Sequence, residues 1–107
     1  MINIEDFKKL EIKIGKVVSV EKVENADRLL KFIFDIGGEE RQIVSGIAES
    51  YPDPQKLVGK EVPILTNLEP RTIKGIESNG MVLCADFDGM PVLLHPDREV
   101  PTGSIVK

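Results

Sequence analysis

Hydrophobic positions recur along this chain with two different periods. Ile4, Phe7 and Leu10 are spaced three apart, the interval that places side chains on one face of a helix. Asn3 precedes them as an N-cap, with Asp6 in the first turn and Lys8 and Lys9 near the end, where the helix dipole favours those signs. A short N-terminal helix is therefore predicted. From Leu10 the period falls to two. Leu10, Ile12, Ile14, Val18 and Val20 alternate with Glu11, Lys13, Gly15, Ser19 and Glu21, which predicts a long half-buried strand. Gly15 inside it marks a bend, where a strand must curl.

After a turn at Asn25-Ala26-Asp27, Leu30, Phe32, Phe34 and Ile36 alternate again and run into Gly37-Gly38, a hairpin signal. A third strand is expected from Glu39 to Ile47. Asp53-Pro54 has the form of a cap followed by proline at the first helical position, and Gly59 closes that segment, so a short helix is expected there. A fourth strand should cover Glu61 to Thr66, followed by a loop from Asn67 to Asn79 and a fifth strand from Gly80 to Phe87. The tail from Pro91 to Lys107 carries turns at Pro96 and Pro101-Thr102-Gly103. Three strands, a short helix and two more strands is the element order of an all-β, five-stranded oligonucleotide-binding (OB) barrel. An SH3-like barrel also has five short strands, but it does not call for a helix between the third and fourth.

A length of 107 residues suits one domain, with the barrel over about residues 10–87 and an extension over about 88–107. No apolar run approaches the ~20 residues that span a bilayer, so no membrane association is expected. Met1 to Asp6 lacks the basic and apolar regions of a signal peptide. Cys84 is the only cysteine, which excludes an internal disulfide; together these features make the cytoplasm the expected location. The net charge of -4 argues against nucleic-acid binding by the whole surface. The charge is uneven, however: within residues 56–81, Lys56, Lys60, Arg71 and Lys74 outnumber Glu61, Glu69 and Glu77. Any nucleic-acid contact must be a local patch.

Catalysis finds little support. A nucleophilic triad needs a base beside its serine or cysteine. His95, the only histidine, lies between Leu94 and Pro96 near a turn, and Cys84 between Leu83 and Ala85 reads as a small apolar core residue. One histidine and one cysteine fall short of a zinc site. Asp86 and Asp88, two apart, would share a strand face, as a solvated strand end or a weak cation site. No metal or cofactor is expected. Binding has more to work with. Lys31 points away from the Leu30/Phe32/Phe34 face, Arg41 lies on the neighbouring strand, and Arg71 and Lys74 flank a loop beside Ser78, Asn79, Gly80 and Met81. Loops beside the binding face are where OB domains grip their ligands. With Phe32 and Phe34 assigned to the core, recognition would rest on phosphate, sugar and hydrogen-bond contacts more than on stacking.

Five segments in series resemble one family. Asn25-Ala26-Asp27-Arg28-Leu29-Leu30, Ile43-Val44-Ser45-Gly46-Ile47, Tyr51-Pro52-Asp53-Pro54 with Leu57-Val58-Gly59-Lys60, Asn67-Leu68-Glu69-Pro70-Arg71 with Lys74-Gly75, and Ser78-Asn79-Gly80-Met81 match the motifs of the structure-specific tRNA-binding domain family in order. The family includes the tRNA-binding region of methionyl-tRNA synthetases, also found as a separate beta subunit, and a secretion chaperone. Two positions depart from the motifs: Thr72 replaces a lysine after Pro-Arg, and Arg28 replaces the lysine of the first segment. The resemblance implies a non-catalytic module that binds tRNA by shape and raises the affinity of a methionyl-tRNA synthetase chain in trans. It also implies a homodimer, with the N-terminal helix and the C-terminal extension as interface. It points to Asn67, Arg71, Lys74, Ser78, Gly80 and Met81 as tRNA-binding positions, to which the strand pattern adds Lys31 and Arg41. The alternative it carries is a dimeric peptide-binding chaperone.

Overall fold

The computed structural model describes residues 1–107. Helix α1 (Ile4–Phe7) has the predicted cap in full: the Asn3 side chain accepts from the Asp6 N–H, and the Asp6 carboxylate accepts from the Asn3 N–H. The rest is strand: β1 (Ile12–Val23), β2 (Ala26–Asp35), β3 (Glu40–Ser45), β4 (Glu61–Leu65), β5 (Arg71–Ile73), β6 (Ile76–Ser78), β7 (Met81–Val82), β8 (Cys84–Phe87), β9 (Met90–Leu93) and β10 (Ile105–Val106). No helix is long and apolar enough to cross a membrane.

The main sheet runs β3-β2-β1-β4-β7, with β10 added to β1, and every pairing is antiparallel. Strand β1 is the hub. Its first half pairs with β4 (Ile12↔Leu65 to Lys16↔Glu61) and its second half with β2. Glycine at position 15 has a packing reason, since a Cβ there would lie 2.5 Å from Ile64 Cδ1 in the core. The expected alternation fails just beyond it. A register shift between Val17 and Ser19 turns Val17 inward (2% exposed) and leaves Val18 44% exposed, the reverse of the pattern from Leu10 onward.

The core gathers Leu30, Phe32, Phe34, Ile43, Val62 and Ile64, with the Phe32 and Phe34 rings stacked at 5.0 Å. The sheet does not close as a continuous ladder, unlike the barrel expected from the element order. Its last strands meet the free edge of β3 through isolated bonds instead. The Asn79 N–H donates to Gln42 O (2.9 Å), and Gln42 Nε2 donates to Glu77 O (2.9 Å). Ser78 Oγ accepts from the Val44 N–H at 2.9 Å and donates to Val44 O at 3.4 Å. These bonds satisfy part of an edge that would otherwise present unpaired backbone groups.

Other expectations need correction. The helix after β3 is two short 3-10 segments, Ala48–Ser50 and Pro54–Leu57; Pro54 takes its expected first position, but Asp53 makes no side-chain cap bond. The loop from Asn67 to Asn79 contains the β5–β6 hairpin. The fifth strand divides at Leu83 into β7 and β8, and β8 pairs with β9 through an Asp88-Gly89 turn. Both turn residues have positive φ (52° and 82°), as a two-residue hairpin requires, and the Asp86 carboxylate accepts from the Gly89 N–H (2.7 Å). Asp86 and Asp88 therefore shape a turn and do not share a strand face.

The tail returns over the sheet. The Gly103 N–H donates to Ile14 O (2.7 Å) and the Ile14 N–H to Ser104 O (2.8 Å). The buried Glu61 carboxylate accepts from the Val100 N–H (2.9 Å), while His95 Nδ1–H donates to Glu61 O (2.7 Å).

Candidate nucleic-acid interface

The β5–β6 hairpin is a short ribbon with Arg71↔Ser78, Thr72↔Glu77 and Ile73↔Ile76 as opposed pairs. Its turn is Lys74-Gly75, with φ of 52° and 79°. Glycine accepts such a conformation freely, whereas lysine rarely occupies it, so the turn holds Lys74 in an uncommon conformation at the exposed tip. The half-buried Ile73 and Ile76 and the buried Ser78 face the sheet, and Thr72 and Glu77 face solvent.

Seven of the eight predicted site residues separate into two groups, and Met81 stands apart from both. Four carry polar bonds or packing that belong to the fold. Ser78 is 3% exposed and bonded to Val44. Asn67 Oδ1 accepts from the Glu11 N–H (2.9 Å), and its Nδ2 donates to Lys9 O (2.7 Å), which ties the segment after α1 to the end of β4. The Arg41 guanidinium donates to Thr66 O and pairs with Glu39 (3.2 Å), linking the ends of β3 and β4. Gly80 (φ 126°) leaves room that a Cβ would fill at 3.1 Å from Ile43 and 3.2 Å from Leu65 O. Met81 is exposed on β7.

The other three are cations. Arg71 and Lys74 are exposed on the ribbon, and neither enters an intramolecular ion pair. Lys31 lies on the outward face of β2, opposite Glu21 on β1, and its Nζ sits 2.7 Å from the Glu21 carboxylate. Between the β1–β2 hairpin and the ribbon tip lies an open cleft of about 410 Å³, lined by Glu21, Lys22, Val23, Glu24, Lys31, Lys74 and Ile76. The geometry thus brings Lys31 and Lys74 together, and adds Lys22, Glu21 and Glu24, to which no motif of the sequence points. Pairing Glu21 across from Lys31 was the signal available for one of them.

Two residues weighed for chemistry have structural surroundings. Burial raises the Cys84 thiol above its ordinary value, which disfavours the reactive thiolate. His95 is exposed, with Nδ1 held by the Glu61 carbonyl. Beside the turn at Asp88-Gly89, Tyr51, Phe87, Met90 and Val92 line an apolar groove of about 530 Å³.

Comparison with known proteins adds to this geometry. A family model described as a putative tRNA binding domain matches residues 12–105. A methionine–tRNA ligase of Archaeoglobus fulgidus is 54% identical over 105 residues, covering 98% of this chain and 16% of the ligase, so the chain spans about a sixth of that relative's length. Among solved structures, a MetRS related protein from Pyrococcus horikoshii superposes with a TM-score of 0.94 at 38% identity, covering 100% of this chain and 98% of that one. The chaperone CsaA from Bacillus anthracis superposes with a TM-score of 0.90 at 29% identity, covering 100% and 99%. With a match from Ile12 to Ile105 and an OB-like, all-β fold that carries it, the chain belongs to the putative tRNA-binding domain family.

Proposed function

We propose that this chain is a non-catalytic tRNA-binding module of a methionyl-tRNA synthetase, acting as an appended domain or separate beta subunit that raises tRNA affinity in trans. The observation that carries the proposal is the cationic edge: Arg71 and Lys74 are unpaired on an exposed ribbon, with Lys31 across the cleft. In a chain of net charge -4, cations left without carboxylate partners are the groups free to meet phosphates. Ser78, Asn67, Arg41 and Gly80 then act by holding the ribbon and its neighbouring strands in place. The strand path and its stitched edge support an OB-type barrel over about residues 10–87 as one domain. Exposed Ile2, Ile4 and Leu10 near α1, and Phe87, Met90, Val92 and Ile105 toward the C-terminus, support a homodimer through those segments.

Mobility shift with tRNA tests the proposal. Lys74→Glu should weaken binding alike for different tRNAs and reduce the slope of log K against log salt by about 1, with the thermal midpoint retained. Unchanged affinity removes Lys74 from the site, and no binding by the unaltered protein at low salt refutes the function.

A second function is favoured by one observation, the apolar groove at Tyr51, Phe87, Met90 and Val92 together with the likeness to CsaA. A peptide-binding chaperone would suppress aggregation of an unfolded client, and Phe87→Ser would abolish that effect.

A further inference from the structure

We propose that the cleft between the β1–β2 hairpin and the β5–β6 ribbon seats one RNA backbone phosphate between Lys31 and Lys74, and that Glu21 is a built-in competitor for that phosphate. This rests on the tRNA-binding function proposed above. Lys31 has 31% of its side chain exposed and Glu21 has 64%, so a partly buried lysine is met by a largely exposed glutamate at 2.7 Å. The two are cross-strand partners, so the β1–β2 ladder keeps their backbones side by side while the exposed side chains stay free to separate. A phosphate entering from the solvent side meets Lys74, Lys22 and the Lys31 ammonium, but also the Glu21 and Glu24 charges, of which only Glu21 is paired with Lys31. Displacing that carboxylate is cheap, because an exposed ion pair contributes little, yet the freed carboxylate must then recapture a counterion from solution. Glu21 therefore lowers both the affinity and the net number of ions released on binding.

Removing the competitor should strengthen binding, an uncommon outcome for a substitution inside a binding site. Glu21→Gln should raise tRNA affinity about two- to five-fold at low salt, the upper part of the range expected of an exposed pair. It should also steepen the slope of log K against log salt by about 0.7 to 0.9, one phosphate's worth. Three companions make the result specific. Glu40→Gln removes the same charge at the opposite end of the β2–β3 hairpin and makes no ion pair; it should gain less than two-fold. Lys31→Met keeps the aliphatic stem and should lower affinity. The double variant Glu21→Gln/Lys31→Met should show no gain over Lys31→Met alone. The inference is overturned if the unaltered protein binds tRNA but Glu21→Gln equals Glu40→Gln, or if the gain persists without Lys31. Failure of the unaltered protein to bind tRNA overturns the underlying function instead, and the two failures are read from separate lanes of one titration.

Discussion

Ser78 offers the sharpest test of how the binding motif is built. Its hydroxyl accepts from the Val44 N–H at 2.9 Å and donates to Val44 O at 3.4 Å, and Val44 is 5% exposed. Ser78→Ala would leave the Val44 N–H in the interior without a partner. An unsatisfied buried donor costs about 1–3 kcal/mol. For a chain of this length that corresponds to a fall in thermal midpoint of roughly 4 to 12 °C. Thermal unfolding followed by circular dichroism measures it, and hydrogen exchange at the Val44 amide should accelerate by the same free energy. The tRNA affinity of the folded variant, measured well below its midpoint, should change less than two-fold. A hydroxyl that touched RNA would behave in the opposite way, with stability within about 0.5 kcal/mol of the parent, as for an ordinary surface position, and a clear loss of affinity. That combination would refute the stitching role assigned to Ser78.

The contact of the tail with the turn between β2 and β3 gives a second prediction. Gly37 has φ 73°, and a Cβ there would lie 2.8 Å from Thr102 O, so Gly37→Ala should destabilise by about 2–4 kcal/mol from left-handed strain and overpacking together. Gly38→Ala, with φ 100° but open space, should cost clearly less; equal losses in urea unfolding would show that the tail contact contributes nothing. Cys84 gives a third. With its thiol raised by burial, carbamidomethylation at pH 8 should run slower than for a free cysteine and accelerate only as the pH climbs past the ordinary thiol range. The same sign makes its contribution to stability fall at alkaline pH, as ionisation begins to favour the unfolded chain. A rate equal to that of free cysteine at pH 8 would place the thiol in water.

The amino-acid sequence alone settled what depends on neighbours in the chain. Asn3 and Asp6 specify the capping box because their partners lie three residues away. Alternation placed Phe32 and Phe34 in the core, and Gly37-Gly38 marked a turn wherever the strands would lie. The serial motifs identified the family. Tertiary structure decided what depends on groups far apart in the chain. Val18 points outward because a bulge shifts β1 against β2, and no period shows a bulge. The ribbon tipped by Lys74-Gly75 was hidden because each of its strands is three residues long, too short for alternation to register.

The motif residues illustrate the same division. Their types suggested contact with RNA, but Ser78 and Asn67 turn their polar atoms to Val44, Lys9 and Glu11, between 34 and 58 residues distant. A hydrogen-bonding side chain serves whichever partner the fold brings to it, and only the folded chain shows that partner. The cationic edge follows the same logic. Which lysines are free depends on which carboxylates come within reach, and the pairing of Lys31 with Glu21 against the unpaired Lys74 arises from strand register and hairpin placement.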